Sequence, residues 1–358
     1  MKMFTTRYQV IALMTMMVLG LSISVFAGDI GETISINGFG HQSYLKTDTN
    51  TYVVEDANDG SFRDYVTGLT FSARPSEKVF IRAQMLHSSA GLQVDWGFGE
   101  YHFNDNFGFK AGKVKLPFGF YSETMDVKAL QPFSYLTGIY FYGVNSYNGV
   151  GFFGSHEFNS GWGADLEVFA GASITADGTG ILKDFYGGQF WLRPPVDGLK
   201  LGFGHWETEI NVPGWPVFPV AISMFSGEYI ADSWFLRSEY NLNIQTHEKT
   251  GTNLYIEGGF MINDYIQPVV RWANTKLEEG SLALSYGIED TENAYSFGVN
   301  VFPSPGMVVK LEHHIMKGDA SLQATQREGL NLGTMTLSGP SGPENNWSLT
   351  SMSVAFMF

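Results

Sequence analysis

The segment Leu92-Gln93-Val94-Asp95-Trp96-Gly97-Phe98-Gly99-Glu100-Tyr101-His102-Phe103-Asn104-Asp105-Asn106-Phe107-Gly108-Phe109-Lys110-Ala111-Gly112-Lys113-Val114-Lys115 decides the fold. Leu92, Val94, Trp96 and Phe98 alternate with Gln93, Asp95 and Gly97, the period-two pattern of a strand with two unlike faces. Phe103-Asn104-Asp105 is a tight turn. A second strand follows and runs into a long connection. Strand, short turn, strand, long loop is the unit that recurs along the chain.

Outward from this segment the same alternation returns. Val79, Ile81, Ala83 and Met85 alternate with Phe80, Arg82 and Gln84. Ala164, Leu166 and Val168 alternate with Asp165 and Glu167. Trp234, Leu236 and Tyr240 alternate with Arg237, Glu239 and Asn241, and Ile266, Val270 and Trp272 with Gln267 and Arg271. The pattern predicts strands at 32–45, 64–73, 78–87, 92–102, 106–115, 149–157, 161–171, 184–194, 198–208, 219–230, 233–243, 252–262, 264–274, 292–302, 306–317 and 347–358. Short connections such as Arg74-Pro75-Ser76-Glu77 and Phe158-Asn159-Ser160 take turns with long ones at 46–63, 116–148, 172–183, 209–218, 244–251, 275–291 and 318–346; only 88–91 departs. A soluble sandwich has no reason to sort its loops by length onto two ends, whereas outer-membrane barrels do. An open sheet cannot span lipid, because each unpaired edge group costs several kcal/mol in hydrocarbon. The expected fold is all-β: a transmembrane antiparallel β-barrel of about sixteen strands, with short periplasmic turns and long external loops, wide enough for an aqueous channel.

The two ends of the chain agree. Lys2 and Arg7 precede an apolar run from Val10 to Phe26 that ends in Val25-Phe26-Ala27. Residues 1–27 therefore read as a secretory signal peptide cleaved after Ala27, leaving 28–358 as the barrel. At the other end Met352, Val354, Phe356 and Phe358 share one face, and Ser351, Ser353 and Ala355 the other. A terminal aromatic in the last strand is similar to the signal that outer-membrane insertion machinery reads.

Composition excludes several classes. The 358 residues include no Cys, which removes disulfides, thiolate metal sites and thiol nucleophiles. Without Lys2 and Arg7, 19 bases stand against 36 acids, a net charge of −17, which argues against nucleic-acid binding. Acidic loop residues such as Glu55-Asp56 and Glu278-Glu279 could bridge lipopolysaccharide through divalent cations. Metal or catalytic motifs are missing: the neighbours His313 and His314 point to opposite strand faces, and no H-E-x-x-H, Walker loop or G-x-S-x-G occurs. A lipid-facing hydrolase would need Ser, His and an acid on adjacent outward positions. No cofactor and no enzymatic activity are expected.

Residues 116–148 hold nine aromatic side chains, among them Phe118, Tyr121, Tyr135, Tyr140 and Tyr142. So aromatic a loop should fold onto the barrel interior. The stretch Gly112-Lys113-Val114-Lys115-Leu116-Pro117-Phe118-Gly119-Phe120-Tyr121-Ser122-Glu123-Thr124-Met125-Asp126 resembles a pattern of Gram-negative porin-like proteins, G-[RK]-x-K-x-P-[FLY]-G-L-Y leading into an acidic, Arg-bearing turn; related wording occurs in phosphate-selective porins. Met125 stands where an Arg is expected. In general sixteen-stranded porins, the loop after the fifth strand folds inward and narrows the pore. The resemblance thus implies an inward constriction loop at 116–148, a homotrimer, an outer-membrane location, and passive diffusion of small hydrophilic solutes and ions.

With the apolar face outward, Arg82, Lys110, Arg193, Lys200, Arg237, Arg271 and Lys310 point into the lumen, with Asp95, Asp165, Glu167, Glu239, Glu257 and Glu312. A Lys or Arg on the lipid face would cost ~2–4 kcal/mol at midplane. The expected constriction sets Glu123 and Asp126 on the loop against Arg82, Lys110, Arg237 or Arg271 on the wall. Two alternatives stand beside it: a substrate-selective channel for a sugar or anion with Phe118, Tyr121, Tyr135, Tyr140 and Tyr142 as an aromatic track, and a non-channel structural or adhesive barrel. Aromatic girdle candidates are Tyr65, Phe71, Trp96, Trp162, Trp206, Trp234, Trp272 and Tyr295.

Overall fold

The structure is a computed structural model. It describes residues 34–358 except 50–53, 55, 90, 136–139, 141–143, 175–179, 212–216, 246–247, 279–290 and 319–345. The signal-peptide expectation and most of the 318–346 loop lie outside the described residues.

Sixteen strands form: β1 Ile34–Thr47, β2 Tyr65–Ser76, β3 Val79–Ser88, β4 Gly91–Asn104, β5 Phe107–Lys115, β6 Ser146–Glu157, β7 Gly163–Ile174, β8 Ile181–Arg193, β9 Leu199–Asn211, β10 Phe218–Ile230, β11 Trp234–Gln245, β12 Glu248–Phe260, β13 Ile266–Leu277, β14 Thr291–Ser304, β15 Met307–Lys317 and β16 Asn346–Met357. Each pairs antiparallel with its sequence neighbours. β1 closes on β16, with Phe39 opposite Met357 and Leu45 opposite Ser351. All sixteen expected segments are present. The 244–251 loop is shorter than expected, because β11 and β12 extend to Gln245 and Glu248 past an irregularity at Asn243 and Ile244.

The two faces are sorted opposite to those of a soluble protein. Leu236, Ile256, Val270, Phe297, Leu311 and Met352 are exposed on the outside, while Glu239, Glu257, Arg271, Ser296, Lys310 and Ser351 on the same strands are buried inside. Such a surface suits hydrocarbon, and closure leaves no strand edge unpaired there. No described helix is long and apolar enough to cross a membrane; in this fold the strands do so. Aromatic side chains ring the short-turn end, where Phe103, Phe107, Phe158, Trp162, Trp234 and Tyr265 are exposed.

One phase error of the sequence reading comes from the strict period of two. Met85 pairs with Val94 and Gln84 with Trp96, so Asp95 is an extra residue in β4. A single inserted residue moves the following side chains to the opposite face. Trp96 and Phe98 therefore join Gln84 and Arg82 inside, and Lys110 Nζ stands 5.8 Å from the Phe98 ring. Trp206 is also no girdle residue. It shares the inner face of β9 with Gly204 and Thr208 and meets Phe118 and Phe185 edge-on at 6.2 and 5.4 Å.

Candidate functional site

The described residues of the long segment after β5 lie inside the barrel. Its neck is closed by Leu116 N–H donating to the Asn145 carbonyl at 3.0 Å. Two glycines make the approach possible. Gly112 has φ 141°, and a Cβ there would sit 2.5 Å from the Gly97 carbonyl oxygen. Gly119 has φ 71°, and its Cβ would sit 2.6 Å from a Glu239 carboxylate oxygen. Only glycine takes that backbone cheaply while letting another group come so close.

Glu239 on β11 is the first anchor. It is 1% exposed and accepts from Phe120 N–H at 2.9 Å, Ser226 Oγ at 2.7 Å, Tyr255 Oη at 2.7 Å, and the Tyr140 hydroxyl. A second anchor is the pair Glu257–Arg271, with Arg271 Nε donating at 2.7 Å. Tyr121 donates to Glu257. Arg271 Nη1 donates to the Tyr135 carbonyl at 2.7 Å and stacks 4.5 Å from the Phe133 ring. Arg237 bonds Glu228 and Tyr121 together. Farther round, Ser134 N–H donates to Glu312 at 2.7 Å, Asn300 Nδ2 to the Pro132 carbonyl at 3.0 Å, and Lys310 to the Gln131 carbonyl. Tyr135 Oη donates to Asp64 at 2.8 Å. The loop thus lines the inner wall from β9 round to β1.

Burial raises the phenols of Tyr121, Tyr135 and Tyr140 well above their ordinary range, and the adjoining carboxylates Glu257, Asp64 and Glu239 raise them further. All three stay protonated donors. Burial also pushes the Asp64 carboxyl up, but the hydrogen bond and charge of His41, with Lys128 and Tyr135, outweigh it and bring it to about 2.

This arrangement does not set the loop acids against the wall bases expected from sequence. Asp126 meets Lys115 at 2.6 Å, and Lys115 also holds Asp95 at 2.9 Å. Arg82 lies 3.5 Å from Glu100, and Lys110 bonds Glu167 at 2.6 Å. Buried bases next to wall acids are already neutralised where the register puts them side by side, as with Arg271 opposite Glu257. Glu123 is exposed, with no ion pair among the described residues. Phe118, Tyr121, Tyr135 and Tyr140 are all 7% exposed or less; their rings serve the seam and offer no free face. Tyr142 lies outside the described residues.

The barrel superposes on solved structures over nearly its whole length. An anion-selective porin from Comamonas acidovorans matches with TM-score 0.61 at 8% identity, covering 91% of this chain and 99% of that one. The outer membrane channel DcaP of Acinetobacter baumannii matches with TM-score 0.60 at 9% identity, covering 91% and 97%. Salmonella typhi OmpF, in complex with daunomycin, matches with TM-score 0.60 at 10% identity over the same shares. The fold is that of a porin. At such identities the likeness shows the fold alone; no protein-family model and no curated protein matches the sequence.

Outside the porin barrel, a cross-strand relay escaped the sequence reading. His205 Nδ1 and Ser223 Oγ are 2.9 Å apart, His205 Nε2 and Glu207 Oε1 3.0 Å, and Tyr186 Oη donates to Glu207 at 2.6 Å. It begins where the exposed Leu201 and Phe203 of β9 give way to polar residues. His205 and Ser223 face each other in the ladder, and acyl transfer needs donors for an oxyanion besides. The relay satisfies polar groups at the border of the apolar band. His314, Ser296 and Glu312 repeat it on the inner face, at 2.8 and 3.1 Å. No cluster of metal-ligating side chains occurs among the described residues.

Proposed function

We propose that this chain, exported by residues 1–27, is an outer-membrane porin for passive diffusion of small hydrophilic solutes and ions. The observation that carries the reading is the inner wall: a closed sixteen-stranded barrel with an exposed apolar exterior keeps its charges inside and holds a long loop against one side of the lumen. Solutes pass between Glu123 and the wall that carries Lys110, Glu167 and Lys200. Diffusion needs no cofactor and no catalytic group, only a polar path of fixed width. Short turns face the periplasm and long loops the exterior, where their acids meet lipopolysaccharide. A trimer form is known for the structurally similar OmpT of Vibrio cholerae, with TM-score 0.58 at 9% identity and coverage of 91% and 99%, which supports a homotrimer here.

The test is reconstitution of the purified, folded protein in a planar bilayer. Discrete, ohmic conductance steps grouped in threes are expected. Folded protein that inserts without conducting would leave a structural barrel and overturn the channel reading.

A further inference from the structure

The inner face of β9 carries Lys200, Gly202, Gly204 and Trp206 in one row. Any side chain on Gly202 would run into the Trp191 ring, so Trp191 lies close across the wall there. Phe120 of the loop meets that ring at 4.9 Å, tilted by 32°. Lys200 Nζ stands 4.0 Å from the Trp191 ring centre, and Arg237 Cζ stands 4.9 Å from the Phe120 ring. The result is a ladder of cation, ring, ring and cation.

The two cations are not equivalent. Lys200 is directly opposite Glu228 in the β9–β10 ladder, yet Arg237 takes Glu228 through Nε at 2.6 Å. Arg237 is further held by Tyr121. Lys200 has no ion pair among the described residues and rests on Trp191 instead. Trp191, Phe120 and Lys200 are each partly exposed. A charge-assisted hydrogen bond is stronger than an exposed cation–ring contact, so an anion entering the lumen can draw Lys200 from the ring, whose face then accepts an apolar group.

We infer that Lys200, Trp191 and Phe120 form a solute subsite for a small anion that carries a flat apolar group. The anionic end binds the Lys200 ammonium and the flat end stacks on the Trp191 face that Lys200 leaves, with Phe120 backing that ring. This rests on the channel reading for its place on a transport path, but binding itself does not require conduction.

Benzoate is the probe, with acetate and benzyl alcohol as halves of it. In titration calorimetry on the detergent-folded barrel, benzoate should bind saturably. Lys200→Met and Trp191→Leu should each weaken it at least about tenfold, which is about 1.4 kcal/mol. Acetate and benzyl alcohol should bind weakly or not at all. In the bilayer, benzoate should reduce the chloride current with the same half-saturating concentration. Benzoate binding that is absent, or unchanged in both variants, or matched by acetate, overturns the subsite while leaving a conducting channel intact. Variant-sensitive binding without current upholds the subsite and removes the channel.

Discussion

Phe120 N–H donates to a Glu239 carboxylate oxygen across 2.9 Å, joining the loop after β5 to a strand on another side of the barrel. The same carboxylate takes Ser226, Tyr140 and Tyr255. Glu239 is therefore the peg on which the first half of the loop hangs. Glu239→Ala leaves these donors buried without an acceptor, at about 1–3 kcal/mol for each. We expect a lower unfolding temperature and a larger, noisier conductance as the loop leaves the wall. Unchanged conductance in a folded Glu239→Ala barrel would mean the loop does not depend on this anchor.

Gly119 should tolerate no side chain. Its left-handed backbone alone makes alanine unfavourable by about 1–2 kcal/mol, and the new Cβ would sit 2.5 Å from the Tyr140 hydroxyl oxygen. Gly119→Ala should reproduce the conductance of Glu239→Ala. Protease accessibility of 116–145 in the folded protein provides a direct check.

Glu123 and Asp126 should separate in their effects. Glu123 is exposed and has no ion pair among the described residues, so Glu123→Gln should move the reversal potential in a salt gradient toward anions with stability within about 0.5 kcal/mol of the parent. Asp126 neutralises Lys115 at 2.6 Å. Asp126→Asn should destabilise the neck of the loop. If Glu123→Gln leaves selectivity unchanged, the solute path does not run past that residue.

The Tyr135–Asp64 clasp sets a pH limit on the second half of the loop. The Asp64 carboxyl is lowered in the folded state, from 3.8 to about 2. A depressed acid contributes stability above its unfolded value and loses it as pH falls through the folded value. The clasp should be intact at neutral pH and weaken only between about 3.8 and 2. Asp64→Asn should remove that acid-dependent step from unfolding curves. A parent barrel whose loop is released already at pH 5 would contradict this.

Much of the site's frame was legible in the chain. The Gly112–Asp126 stretch marked where the wall gives way to a loop, and the aromatic content of 116–148 placed that loop inside. What the loop touches was not legible. Glu239, Glu257, Glu312 and Asp64 are 99 to 178 positions or 71 positions away from their loop partners, and nothing local in the sequence links them. The aromatic side chains were visible as a group, but whether their faces meet solute or wall depends on which carboxylates stand opposite.

By itself the sequence determined the all-β architecture, the number and order of strands and the face that each of most residues takes. Period-two alternation and the lengths of the connections are local properties, and closure follows from the need to pair every edge in lipid. Only the tertiary structure decided the phase after Asp95 and which lumen charges are spent on one another. A one-residue bulge reverses faces without changing composition, and ion pairing depends on cross-strand register such as Glu228 with Arg237 and Lys200. That register left Lys200 on a tryptophan ring.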